Sequence, residues 1–284
     1  MARIGSYELH TIETGRFGLD GGGMFGVVPR ALWERHIRPD DKNRITLALR
    51  CLLLEGDGRV ILIDNGIGTK GNEKFASIYS VDYTDTELHR SLDQAGFRAA
   101  DVTDVVYTHL HFDHCGGGTA TGRNGPVPVF ENALYHVQRA HWEWALHPNA
   151  REAASFMKEN MEPLERAGQL RLIDGPGALF PGVEAIVVDG HTEAQQLVKI
   201  SDEERTLVFV SDLLPTAAHS RGAWTAAYDV RPLVTLKEKA NFLEDAVEGG
   251  WHFFFEHDPV TIVGTPVRTS RGIAVAEERP LEEL

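Results

Sequence analysis

The segment Thr108-His109-Leu110-His111-Phe112-Asp113-His114 places four potential metal ligands within six positions. Desolvating three imidazoles and a carboxylate together is costly unless a partner compensates, so a fold that contains them either keeps them wet or closes them around a cation. The apolar run Val105-Val106-Tyr107 just before them predicts a short buried strand, which puts the cluster on the loop leaving a strand tip, ahead of Gly116-Gly117-Gly118. In an extended segment His109, His111 and Asp113 point the same way, and a following turn swings His114 back toward them. Imidazole nitrogen and carboxylate oxygen suit zinc, manganese, cobalt or iron. Cys51 and Cys115 lie far apart and form no C-x-x-C pair, so thiolate is missing from the set, which points to a catalytic or exchangeable site.

Around this loop the pattern alternates strands and helices. Tyr7 to Thr14, Thr46 to Leu54 and Val60 to Asp64 read as strands, with Glu55-Gly56-Asp57-Gly58 turning the last two into a hairpin. Gly21-Gly22-Gly23-Met24-Phe25-Gly26 reads as a long mobile loop. A helix capped near Thr84 or Asp85 carries Leu88, Leu92 and Ala95 to Gly96, and a second, capped by Asn149, carries Ala153, Phe156 and Met157 until Pro163 breaks or kinks it. Val183 to Asp189, Leu197 to Ile200 and Thr206 to Ser211 are strands, the last two joined by a turn at Ser201-Asp202-Glu203-Glu204. Leu236, Ala240, Leu243 and Val247 mark a long helix ended by Gly249-Gly250, Trp251 to Phe255 is the final clear strand, and the acidic tail from Ala276 to Leu284 reads as a solvated end. Strands flanking helices in two similar halves predict a layered α/β fold with sheets inside and helices outside.

His109-Leu110-His111-Phe112-Asp113-His114 resembles the H-x-H-x-D-H signature of the metallo-β-lactamase superfamily. The resemblance extends, in the family's order, to Gly190-His191-Thr192, to Ser211-Asp212 after an apolar strand, and to Glu256-His257-Asp258 after Trp251 to Phe255. It implies a single domain over residues 1–284 with the αβ/βα four-layer fold, two β-sheets packed face to face. It also implies two divalent metal ions, most simply zinc. His109, His111 and His191 would bind one, Asp113, His114 and His257 the other, with Asp212 between. Asp64, in Leu62-Ile63-Asp64-Asn65-Gly66, matches the family's early strand-end aspartate that buttresses the site. The sequence departs from the family where Glu193-Ala194-Gln195 replaces the common Pro-Gly-His, and where Ser211 stands for glycine; neither change removes a ligand, but both alter the supporting hydrogen bonds.

Such a pair of ions shares a bridging hydroxide, because bound metal brings the pKa of water down to about 7. The resemblance therefore implies a metal-dependent hydrolase, with Asp113 among its catalytic groups, and no G-x-S-x-G elbow offers a competing nucleophile. Gly21 to Pro29 and Ser211 to His219 look most like the branch of quorum-quenching N-acyl-homoserine lactone lactonases. There Tyr228 stands where such enzymes hold the substrate carbonyl or leaving oxygen with a tyrosine. Met24, Phe25, Trp33 and Phe112 either line an apolar acyl groove or pack the core. Turnover of aryl esters or organophosphates by the same site is one alternative, and an iron-dependent oxidoreductase of the same fold is another. A net charge of −14, with lysine and arginine only in scattered pairs, argues against nucleic acid as a partner. With no signal-peptide-like start and no apolar run of about 18 residues, the expectation is a cytoplasmic protein away from membranes, acting on a small ester or lactone, with a homodimer as one assembly.

Overall fold

The computed structural model describes residues 2–284. They form two compact units. The first comprises Ser6–Arg16 and Leu49–Gly175; the second comprises residues 2–5, Phe17–Ala48 and Pro176–Leu284. Each holds a mixed sheet with helices, the α/β class the sequence predicts.

In the first unit the strands Arg44–Gly56 and Arg59–Ile63 pair antiparallel with Gly56 opposite Arg59. Asp57 and Gly58 between them have φ of 51° and 71°. Two left-handed residues make the mirror-image turn whose twist suits a hairpin. The sheet then becomes parallel: Arg59–Ile63 lies beside Asp104–Val106, that strand beside Leu134–Gln138, and that beside Leu170–Ile173. Parallel neighbours need long crossovers, and the helices Leu88–Gln94, Arg139–Leu146 and Lys158–Arg166 lie within them. Ile61, Leu62, Ile63, Val105 and Val106 are fully buried, as befits apolar runs covered on both faces. Leu92, Tyr107, Tyr135, Trp142 and Leu164 join one core cluster, each burial contributing about 1.5–3 kcal/mol.

The second unit is built on seven strands in sequential order from Gly177–Phe180 to Gly272–Arg279. Ser201 pairs with Thr206 across the predicted turn. Thr206–Phe209 and His252–Phe254 run parallel, and the helix Pro232–Glu248 lies in their crossover. Its buried face is Thr235, Lys239, Phe242, Leu243 and Ala246 rather than the expected Leu236, Ala240, Leu243 and Val247. A lysine faces inward because its ammonium donates to three main-chain carbonyls, those of His219, Arg221 and Trp224, at 3.0, 3.0 and 2.5 Å.

Several expectations are corrected. Gly21–Phe25 is a short helix rather than a mobile loop, with the Asp20 carboxylate accepting the Gly23 N–H at 2.9 Å. Its glycines serve close approach: a Cβ on Gly21 would sit 2.3 Å from the Trp33 ring, and one on Gly23 2.6 Å from the Tyr228 hydroxyl. Phe25 stacks on Trp33 at 5.4 Å and both are buried, so these two pack the core. The cap of Leu88–Gln94 is Glu87, beyond Thr84 and Asp85. Asn149 makes a turn, accepting the N–H groups of Arg151 and Glu152, and the helix starts only at Lys158. Pro163 lies inside that helix; the Glu159 carbonyl, which loses its partner to the proline, accepts the Thr119 hydroxyl at 2.9 Å. His252–Phe254 is not the last strand. Val263–Thr269 and Gly272–Arg279 follow it, and Leu281 is buried, so the acidic tail is largely structured. Pro266 and the interspersed charges hide this hairpin from an apolar pattern. Arg30, Arg35 and Arg38, scattered in the sequence, line one surface cleft with Glu34.

The loop following Asp212 is pinned by a buried histidine. His219 Nε2 is 2.8 Å from the Met24 carbonyl, its Nδ1 is 2.8 Å from the Thr216 hydroxyl, and its ring stacks on Phe25 at 4.7 Å. A carbonyl only accepts, so Nε2 carries the proton and the threonine donates to Nδ1. Burial holds this imidazole down, at about 4 against an ordinary 6.5. The unfolded chain therefore takes up a proton that the fold refuses between those values. His219's contribution is complete above pH 6.5 and is lost as pH falls toward 4, a change on the order of 3 kcal/mol. Denaturant titrations from pH 7 to 4.5 are expected to show stability falling with pH, and falling less steeply in His219→Gln; equal slopes would exclude His219 as the source.

Candidate metal centre

In the first unit Ile63 and Val106 are register partners at the ends of parallel strands, so the residues after them leave the sheet side by side. Asp64 follows immediately, with its N–H donating to the Val106 carbonyl at 3.0 Å and φ of 54°, a left-handed value that aspartate tolerates better than most residues. Its buried carboxylate accepts the Thr108 N–H at 2.8 Å and the Thr108 hydroxyl at 2.6 Å, and lies 3.0 Å from His114 Nδ1. His114 thus carries its proton on Nδ1 and keeps the Nε2 lone pair for a ligand role. Since the Thr108 hydroxyl gives its hydrogen to Asp64, its oxygen accepts from His109 Nδ1 at 3.1 Å, leaving His109 Nε2 as donor to a metal.

His109 Nε2 is 3.1 Å from His111 Nδ1. The other nitrogen of His111 faces the buried Glu152 carboxylate at 3.5 Å, and Glu152 is itself held by Trp144 Nε1 at 2.8 Å and Asn149 Nδ2 at 2.6 Å. His141 supports the same loop by accepting the Leu110 N–H at 2.8 Å. The loop is not extended throughout. His111 is, but Phe112–Cys115 closes a helical turn, so Asp113 and His114 arrive by that turn, with an Asp113 oxygen 3.9 Å from His114 Nε2.

In the second unit His191, Asp212 and His257 each lie three residues beyond a strand, after Val188, Phe209 and Phe254. His109 bears the same relation to Val106. Phe209 and Phe254 are register partners, which delivers Asp212 and His257 together. Nδ1 of His191 is 2.9 Å from Asp229, and Nδ1 of His257 is 2.9 Å from the Ala48 carbonyl. Their Nε2 atoms reach the two oxygens of Asp212 at 3.2 and 3.4 Å. Asp212 therefore spans two imidazoles with one oxygen toward each. Gly190 must be glycine, because a Cβ there would meet the Thr235 N at 2.4 Å, and the turn is fixed by Glu238 accepting the N–H groups of Asp189 and Gly190.

These donor sets fit divalent metal ions. Ligand atoms at the corners of a tetrahedron with bonds of about 2.0 Å stand about 3.3 Å apart. The His109–His111, His191–Asp212 and His257–Asp212 separations are 3.1, 3.2 and 3.4 Å. All seven predicted ligands are buried and are candidate metal-binding residues. The groups that aim them, Thr108, Glu152, Asp229 and Glu238, carry no mark in the sequence, although Asp229 adjoins the singled-out Tyr228. Tyr228 itself is 41% exposed, which removes it from the packed core.

The family profile of the Metallo-beta-lactamase superfamily matches residues 48–266, and the chain belongs to that superfamily. A probable metallo-hydrolase of Mycobacterium bovis is 26% identical over 243 residues, 76% of this chain and 73% of the relative. An N-acyl homoserine lactonase of Bacillus cereus is 28% identical over 178 residues, 60% of this chain and 64% of the relative. The crystal structure of a probable metal-dependent hydrolase from Staphylococcus aureus superposes with a TM-score of 0.87 at 27% identity, covering 98% of this chain and 100% of that one. The protein is a metal-dependent hydrolase of this superfamily, with the metallo-β-lactamase fold and His/Asp metal-binding clusters.

Asp64 orients His114 and, through Thr108, His109. Asp64→Asn is expected to weaken zinc binding roughly 10- to 100-fold in chelator competition, the usual scale for loss of a ligand's supporting carboxylate. Affinity equal to wild type would show that His114 needs no such support.

Proposed function

We propose that this hydrolase opens the ring of N-acyl homoserine lactones, and that all seven residues, His109, His111, Asp113, His114, His191, Asp212 and His257, together hold two divalent ions, zinc foremost, within one domain over residues 1–284. The proposed division gives His109, His111 and His191 to one ion and Asp113, His114 and His257 to the other, with Asp212 serving both. The observation that carries the substrate reading is the setting of Tyr228. It is the residue next to Asp229, the partner of His191, and its phenol is exposed and rests against the Cβ-less face of Gly23. Similarity to the Bacillus cereus lactonase supports the same reading.

Ions bound by these ligands supply a nucleophile at neutral pH and polarise the carbonyl under attack. The chain's own groups do the rest. Tyr228 donates its phenolic hydrogen to the substrate carbonyl oxygen, where negative charge develops. Water adds to the carbonyl carbon, the ring C–O bond breaks, and the proton that water releases ends on the ring oxygen. Asp113, the one carboxylate among the ligands of the first unit, holds that proton in transit.

Turnover of a panel of lactones, aryl esters and phosphotriesters by zinc-loaded protein tests the proposal. Homoserine lactones are expected to be the best substrates. Asp113→Asn should lose at least about 100-fold in kcat/KM and Tyr228→Phe about 10- to 100-fold. Gly23→Ala should match Tyr228→Phe, and the double variant should be no worse than either, since both disturb one phenol. Better turnover of esters or phosphotriesters than of any lactone would overturn the substrate assignment, and additive losses would separate Gly23 from Tyr228.

A further inference from the structure

Two departures from the superfamily pattern, Gln195 and Ser211, meet inside the second unit. Both are buried, and the Gln195 carboxamide donates from Nε2 to the Ser211 hydroxyl oxygen at 3.1 Å. The register explains the meeting. Val198 stands opposite Phe209 on antiparallel strands, so Gln195, three residues before the one, and Ser211, two residues after the other, come together at the same end of the pair.

The backbone at this point is strained. Ser211 has φ of 42°, and Ala194, directly before Gln195, has φ of 48°. A Cβ crowds the neighbouring carbonyl in left-handed backbone and glycine escapes the clash, which suits the glycines the superfamily commonly carries at both places. Residues with side chains persist there only where their surroundings over-determine them. Ala194 is held by its N–H, which donates to the Asp189 carboxylate at 2.9 Å. Ser211 accepts the Leu214 N–H on its carbonyl at 3.3 Å and the Gln195 amide on its hydroxyl. What hangs on Ser211 is the next residue. The two oxygens of Asp212 stand 3.2 and 3.4 Å from Nε2 of His191 and His257, and a Ser211 relaxed to negative φ would turn that carboxylate away from both imidazoles.

We infer that Gln195 is a positioning residue for the metal centre: its hydrogen bond latches Ser211 in left-handed backbone and so keeps Asp212 between His191 and His257. A glycine at position 211 needs no latch, so Gln195 and Ser211 are one coupled replacement rather than two. The inference rests on Asp212 being a metal ligand, which Asp212→Asn tests by itself.

Three measurements across a small set of variants test the latch: zinc affinity by chelator competition, the visible spectrum of cobalt-substituted protein, and thermal unfolding of the metal-free protein. Gln195→Met and Ser211→Ala are each expected to weaken zinc binding about 10-fold and to shift the cobalt bands, which report ligand geometry, and their combination should be no weaker than either. Ser211→Gly should bind zinc as wild type does, and adding Gln195→Met to it should cost nothing further. Metal-free Gln195→Met should unfold at a lower temperature, with Ser211→Gly repairing the loss. Should Gln195→Met not fold, the contrast between Ser211→Ala and Ser211→Gly decides alone. Wild-type affinity and spectrum in Gln195→Met, or a loss that Ser211→Gly does not repair, would overturn the latch. Undiminished zinc affinity in Asp212→Asn would discard the ligand assignment, while a repaired loss in metal-free unfolding would still retain the bond between Gln195 and Ser211 as what holds the strained turn.

Discussion

The structure depends on hydrogen bonds that decide which nitrogen of each histidine carries its proton. A neutral imidazole offers a metal one lone pair, and the hydrogen bond at its other nitrogen fixes which nitrogen carries it. Asp64 occupies His114, Thr108 occupies His109, Asp229 occupies His191 and the Ala48 carbonyl occupies His257. Every one of these partners is buried or main-chain, which shields these hydrogen bonds from competing water. Tetrahedral spacing among the donor atoms follows from this fixation.

The sheets make the fixation possible. Two adjacent parallel strands end level with one another, and the residues that leave them are neighbours without any loop having to be long. In the first unit this produces Asp64 beside Thr108, and in the second Asp212 beside His257. The recurrent three-residue interval between strand end and ligand, at His109, His191, Asp212 and His257, lets each side chain turn back over the sheet's edge. Function here is a property of strand termini, and the helices serve chiefly to return the chain for the next parallel strand.

This explains what could be read from the residues alone. The ligands were legible because they are compact in sequence, or because each follows an apolar run that ends abruptly; the central strands were legible because burial on both faces leaves unbroken Val, Ile, Leu and Phe. Illegible were groups whose role depends on distant partners. Glu152 is an ordinary carboxylate until Trp144, Asn149 and His111 surround it. Lys239 reads as a surface residue on any helical pattern, and only three carbonyls from a loop 15 to 20 residues earlier bring it inside. The triple glycine suggested freedom, whereas Trp33 and Tyr228 press on it so closely that only hydrogen fits. Pro163 suggested a break because its remedy, a threonine hydroxyl more than forty residues away, is invisible in local sequence.

The partner of His257 differs in kind from those of the other histidines. Its acceptor is a peptide oxygen on the strand Arg44–Gly56, whose neighbouring N–H returns a bond to the His257 carbonyl at 3.1 Å. No exchange of side chain at position 48 deletes that oxygen, so genetic drift can erode the alignment of His114 or His191 by a single codon change but can reach His257 only by shifting the strand itself.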